Sequence, residues 1–117
     1  MKYLIASDGM SIEDNVSSNF LEAPYYLFYD DWLDRSEIIS NTIEIDSFYI
    51  LRKAAESGAG TLICGDIDPR SFVAAELSNL KVGISPMISA RKANELASKR
   101  QLMIATAPTV RDRSSLS

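Results

Sequence analysis

Three aspartates, Asp8, Asp66 and Asp68, each stand just past a short apolar run in this chain of 117 residues. Carboxylates gathered at one edge of a sheet can hold two divalent metals for phosphodiester hydrolysis. Each also has a plainer use. Asp8 before Gly9 forms turns, and Asp68 before Pro69 opens a helix, because a carboxylate accepts the free first-turn amides and proline is tolerated at the first helical position. Asp66 is the least constrained of the three. The single cysteine, Cys64, ends an apolar run and reads as a small core residue. Alone it makes neither an internal disulfide nor a thiolate-rich metal site. Histidine is absent. That removes histidine acid–base catalysis, serine–histidine triads and histidine-ligated zinc. Asn19 closes a polar, irregular segment from Met10 and can hydrogen-bond the loop backbone around it.

The elements that must position these groups follow from the pattern. Tyr3–Ala6 is a first strand ending at the turn signal Ser7-Asp8-Gly9. Tyr25–Tyr29 is an aromatic strand. Asp30, Asp31 and Asp34 surround a hairpin turn, and Ile38–Ile45 returns antiparallel as an edge strand. The period then becomes helical. Phe48, Leu51, Ala54 and Ala55 share a face behind a cap at Asp46 or Ser47, and Gly58 and Gly60 end that helix. Thr61–Cys64 is a strand buried on both faces. A helix follows from Pro69 with Val73, Leu77 and Leu80 at helical spacing, then a strand at Lys81–Ile84. Ser89 caps a last helix to about Leu102 with Ala93, Leu96 and Ala97 inward. The order β-β-β-α-β-α-β-α implies an α/β fold with a mixed five-stranded sheet covered by helices. One domain spans 1–104, and 105–117 reads as a flexible tail. Ligands in open α/β sheets lie beyond the carboxyl ends of the parallel strands. That places Ser7-Asp8-Gly9 beside Gly65-Asp66, under the Met10–Asn19 loop.

Bulk properties narrow the function. The formal charge of −4 argues against a nucleic-acid partner. No apolar run reaches the roughly 18–20 residues of a membrane span, and the N-terminal residues turn polar too soon for a secretory signal. Cytoplasm is the expected compartment.

Val16–Asp30, VSSNFLEAPYYLFYD, resembles the signature V-S-x-H-F-G-x-A-P-Y-F of the dinitrogenase iron–molybdenum cofactor biosynthesis family, the nitrogenase accessory factor-like proteins. Val16, Ser17, Phe20, Ala23, Pro24 and Tyr25 match. Asn19 stands where the family has histidine and Leu21 where it has glycine. Thr61–Ile84 is similar to the family's strand–G-x-I-G-P-x-A-F–helix–strand block, with Gly65, Ile67, Pro69 and Phe72 in place and Asp68 and Ser71 differing. The resemblance implies a ribonuclease H-like three-layer fold with the same element order. It implies a small non-enzymatic carrier of the iron–molybdenum cofactor or a related metal cluster. The implied cofactor-binding positions are Asp8, Gly9, Asn19, Gly65 and Asp66. The residues themselves predict weak binding of that cofactor, since an amide is a poor ligand for soft metal and three nearby aspartates repel an anionic cluster. Two other readings stand beside it. One is a two-metal nuclease using Asp8, Asp66 and Asp68, with Glu56 the only acidic residue well inside the first helix. The other is a structural or regulatory module that self-associates through its aromatic strand or exposed sheet edge; a small ligand or partner protein at the loop edge belongs to the carrier reading.

Overall fold

A computed structural model describes residues 1–42 and 46–110. The elements are β1 (Lys2–Ser7), β2 (Tyr25–Asp30), β3 (Arg35–Ser40), α1 (Ser47–Glu56), β4 (Ala59–Cys64), α2 (Pro69–Leu77), β5 (Lys81–Ile84), α3 (Ala90–Ser98) and β6 (Met103–Ile104). They form one mixed sheet in the order β3-β2-β1-β4-β5-β6. β1, β4 and β5 run parallel, with Tyr3 opposite Thr61 and Thr61 opposite Lys81. The β2–β3 hairpin lies antiparallel on one side of them. Ile43–Ile45, the expected end of the third strand, lies outside the described residues, as does the tail from 111.

Among the described residues the sheet has six strands, correcting the expected five. Met103 and Ile104 pair antiparallel with Ile84 and Gly83. The last helix was expected to run to about Leu102, but α3 ends at Ser98 and the chain reverses through Arg100 at φ 58°. That left-handed position is usually glycine's. With arginine there, nothing in the sequence announced the turn, and a two-residue strand is too short to show a period. Beyond it, the Ala105 amide donates to the Val82 carbonyl, and Thr109 binds Ile67.

Strand alternation divides the core into two layers. Leu4, Ala6, Tyr26, Leu62, Cys64 and Val82 face α1 and α2, where Ile50, Leu51, Ala54, Phe72, Ala74 and Ala75 cover them. Tyr3, Ile5, Leu27, Tyr29 and Ile63 face the other way, toward Ala90 and Ala93 of α3 and toward Ile12 and Val16 of the long loop. Helices thus flank both faces. α2 turns inward by a different stripe from the one expected. Val73 and Leu77 are exposed, while Phe72, Ala74 and Ala75 are buried. Alanines let the helix lie close on the sheet, where a larger side chain would hold it off. Among the described residues no helix is long and apolar enough to cross a membrane.

One side-chain network ties the loop to the hairpin. Arg91 at the start of α3 pairs with Glu13 and reaches Asp34 Oδ1 at 3.2 Å. The Tyr29 hydroxyl donates to the same oxygen at 2.7 Å. Tyr29 first, then Arg91, holds the Asp34 carboxyl below the ordinary carboxylate range. A carboxyl depressed in the folded state adds stability above its unfolded pKa and loses it as pH falls through the folded one. Tyr29→Phe is therefore expected to raise the Asp34 pKa, read by carbon-13 NMR titration. The stability gap that this bond contributes should be full above about pH 4 and fade below it. An unmoved Asp34 titration curve would show the hydroxyl is not its main partner.

Candidate functional site

The site region is the carboxyl edge of the parallel strands. β1 and β4 pair directly as far as Ile5 opposite Ile63. Past that point the chain itself enters between them. Val16 bridges Ser7. The Ser17 amide donates to the Ala6 carbonyl at 2.8 Å, and the Gly65 amide donates to the Ser17 carbonyl at 2.9 Å. Residues 16–18 so occupy the crevice where a ligand of an open α/β sheet would lie. Gly65 is what lets them in. A Cβ there would stand 2.7 Å from both Ser18 Cα and the Ser18 carbonyl oxygen, and 2.9 Å from the Ser17 oxygen.

The next residues lock this closure. The Phe20 amide donates to the Asp66 carbonyl at 3.0 Å. The Tyr26 hydroxyl donates to the Phe20 carbonyl at 2.8 Å, and the two rings tilt together 5.2 Å apart. The Asn41 amide group donates to the carbonyls of Leu21 and Ala23 and to the Tyr26 hydroxyl. Asn19 Oδ1 accepts from the Leu21 amide at 2.9 Å, with the Glu22 amide at 3.4 Å. Its oxygen is therefore turned into the loop as a local cap.

Asn19, Gly65 and Asp66 are thus brought to one point. Asp8 and Gly9 sit in a separate turn. The Asp8 amide donates to the Asn15 carbonyl, and Gly9 lies against the Asp14 carboxylate, which accepts from the Ser11 amide. The Asp8 side chain is exposed and that of Asp66 half-buried. Among the described residues no three His, Cys, Asp or Glu side chains are grouped to hold a metal ion. Asp8, Asp66 and Asp68 therefore do not form the carboxylate cluster that a two-metal nuclease needs.

Asp68 caps α2, its Oδ2 accepting from the Ser71 amide at 3.1 Å. It is buried, and its other oxygen, Oδ1, has no hydrogen-bond partner; neither has the buried Ser71 hydroxyl. Burial above all, then Asp66 and Asp68, pushes the Cys64 thiol far above its ordinary pKa. Burial and the Asp68 carboxylate do the same to Tyr26. Cys64 is a protonated core thiol, not a poised ligand. Several amides of this edge are also spent. Ala90 and Arg91 donate to the carbonyls of Asp14 and Ile12, Lys92 to Ser89 Oγ, and Ile67 to Thr109 Oγ1. What stays open is a shallow pocket of about 270 Å³ between the starts of α1 and α2, lined by Leu21, Asp46, Ser47, Asp68 and Arg70.

The chain has the fold of the orange protein. The apo form of that protein from Desulfovibrio gigas aligns with a TM-score of 0.81 at 23% identity, over 93% of this chain and 96% of that one. A candidate NifB protein from Thermotoga aligns at 0.78 and 22% identity, over 93% and 97%. A candidate dinitrogenase from Methanocaldococcus jannaschii aligns at 0.67 and 17%, over 92% and 97%. No family model and no curated protein matches the sequence. At these identities the likeness carries the fold alone.

Three contributors to this edge had no clear sequence signal. Asn41 latches the loop from across the hairpin, and Thr109 lies in the stretch read as tail. Ser71 stands out in the sequence only as a departure from a motif. The contacts of Asn41 and Thr109 span 18 and 42 residues, a separation at which a local pattern is silent.

Proposed function

We propose that this chain is a small non-enzymatic binding protein, a divergent relative of the cluster carriers on a ribonuclease H-like sheet. Its carboxyl edge, rimmed by Asp8, Gly9, Asn19, Gly65 and Asp66, does not bind cargo through protein–metal bonds. The observation that carries this reading is the closed loop: Asn19 Oδ1 is committed to the Leu21 amide and residues 16–18 occupy the strand crevice. The likeness to the orange protein and to a candidate dinitrogenase supports the shared fold, and the residues kept from the family signature, Val16, Ser17, Phe20, Ala23, Pro24 and Tyr25, support the carrier class.

The donor set does not fit an iron–molybdenum cluster as ligated cargo. Such a cluster takes thiolate or imidazole from a protein. Here the only thiol is fully buried and protonated, and histidine is absent. Of the helix-start amides that favour anions, those of Phe48, Ser71, Ala90, Arg91 and Lys92 already have partners from the chain. Asp46 and Asp68 line the open pocket and oppose a further negative charge. A ligand at this edge is instead held by hydrogen bonds and shape in that pocket, with Ser47 and Arg70 as its polar wall and Leu21 as its apolar one.

Elemental analysis of protein purified anaerobically from its native host tests the reading, together with incubation of the protein with isolated iron–molybdenum cofactor. The expected result is substoichiometric molybdenum, iron and copper, and no change in the cofactor's absorption or paramagnetic spectrum. Asn19→His supplies an imidazole at the same position, so uptake by that variant alone would assign the loss to this residue. Stoichiometric uptake by the unaltered protein overturns the reading.

A further inference from the structure

At the opposite, amino edge of the sheet the α3 face is left partly uncovered. Strand register puts Tyr3, Thr61 and Lys81 in one row across β1, β4 and β5, and Ile63, Gly83 and Ile104 in the next across β4, β5 and β6. Side chains two apart along a strand share a face. Both rows therefore look toward α3, the side on which Tyr3 and Ile63 are buried. α3 is only nine residues long and ends at Ser98. Beyond its end lies a cavity of about 410 Å³, lined by both rows and by Ala97, Arg100 and Leu102. Small-molecule sites commonly fall in the range of roughly 300–1,000 Å³.

The lining is of one sign. Lys81 and Arg100 border the cavity and no carboxylate side chain does, although the chain as a whole carries a charge of −4. Met1 borders it too, with its ammonium paired to Asp31 at 2.7 Å. Among the described residues neither Lys81 nor Arg100 has an ion pair. The helix end that faces the cavity is partly capped. The Gln101 amide donates to the Leu96 carbonyl and the Arg100 amide to the Ala97 carbonyl, which satisfies two carbonyls of the last turn and leaves the cations to outweigh the negative end of the helix. Arg100 occupies the left-handed position of that turn at φ 58°, where glycine relieves the backbone. The floor is apolar: Ala97, Leu102, Ile104 and the ring of Tyr3. Gly83 keeps the floor low, since a Cβ there would come 3.3 Å from Leu102 Cδ1.

We propose that this cavity binds a small amphipathic anion, a free carboxylate with an apolar tail. The head sits between Lys81 and Arg100, and the tail lies on Leu102, Ile104 and Ala97. An isolated anion without a tail gains only screened attraction here, and a neutral chain leaves both cations unanswered. The two parts together match the two halves of the wall. The site is on the far edge of the sheet from the loop crevice and stands or falls apart from the carrier reading.

Decanoate is the probe, followed by proton–nitrogen NMR of the full chain. Saturable shifts are expected at the amides of Gly83, Ala97, Arg100, Leu102 and Ile104, weakening with added salt. Acetate and decyltrimethylammonium should leave those amides in place. Lys81→Gln and Arg100→Gln should each weaken binding by roughly tenfold, the usual effect of losing one charge-assisted contact. Arg100→Gly separates binding from folding. It relaxes the backbone, so thermal stability should hold or rise while decanoate affinity falls. Ile104→Glu, at a half-exposed floor position, should abolish binding in a protein that still gives a folded spectrum. Equal binding of the cationic chain, shifts that map elsewhere or do not saturate, or an Arg100→Gly variant that binds as tightly as the parent would each overturn the proposal.

Discussion

Phe20→Ala is expected to cost about 3–5 kcal/mol of folding stability, the usual range for emptying a phenylalanine site in a core. Phe20 is fully buried and belongs to the layer under α1 and α2. Its position in a loop makes it unusual as a core residue. The side chain is the anchor, and the backbone on both sides of it is the tether. Its amide binds Asp66 and its carbonyl receives the Tyr26 hydroxyl. Removing the ring takes away the aromatic neighbour whose centre lies 5.2 Å from that of Tyr26, and the walls are held by the sheet and by α2, so collapse into the void is limited. A domain of this size is stable by about 5–15 kcal/mol, so the loss is a large share of the total. Urea unfolding with an unchanged slope checks it. Phe20→Leu keeps most of the volume and should cost only about 1 kcal/mol. Amide hydrogen exchange adds a local test. In Phe20→Ala the Gly65 amide should lose protection before the amides of β1 and β4 do. An alanine variant as stable as the leucine one would mean that Phe20 does not pin the loop.

Much of this scaffold was legible because its helix starts are written in side chains. Asp46, Asp68 and Ser89 each accept an amide in the first turn behind them, and each is a residue type that does so for a stated chemical reason. The apolar run at Thr61–Cys64 was legible as a buried central strand for the same kind of reason: both its faces are covered. The inward stripe of α2 was not. Val73 and Leu77 carry the stronger hydrophobic signal, yet the sheet accepts Ala74 and Ala75, because close approach is worth more there than side-chain size. The carboxyl edge divides in the same way. Asn19 as a backbone-binding loop residue follows from its side chain. The insertion of residues 16–18 between β1 and β4 follows from backbone hydrogen bonds, which leave almost no mark on residue type. The mark they do leave is a glycine, and glycine alone does not say what it is making room for. Asp66 shows the limit from the other side: its type suggested a ligand, while the contact the structure gives it is a carbonyl bond to Phe20.

Gly65→Ala tests that insertion directly, and we expect it to cost about 2–4 kcal/mol, combining overpacking with the weakening of one buried backbone bond. The added methyl group would meet only backbone: Ser18 Cα and oxygen at 2.7 Å and the Ser17 oxygen at 2.9 Å. No rotamer change can relieve such a contact. Either the loop lifts or β4 shifts, and β4 is hydrogen-bonded on both sides, to β1 and β5. The loop should therefore give way, breaking the bond from the residue 65 amide to Ser17 and straining that from Phe20 to Asp66. Gly60→Ala is the matched control. It lies in the same strand with nothing within 4 Å of its Cβ position, so the same chemical change should fall within about 0.5 kcal/mol of neutral. The pair isolates contact from the general effect of removing a glycine. Should Gly65→Ala cost no more than Gly60→Ala, the closure at Ser18 is not tight and the crevice is open to a ligand after all. If it costs the expected amount, the lifted loop still exposes no histidine and no free thiol. The variant should then be less stable without gaining any affinity for an iron–molybdenum cluster, because closure and the missing ligands are separate barriers at this edge.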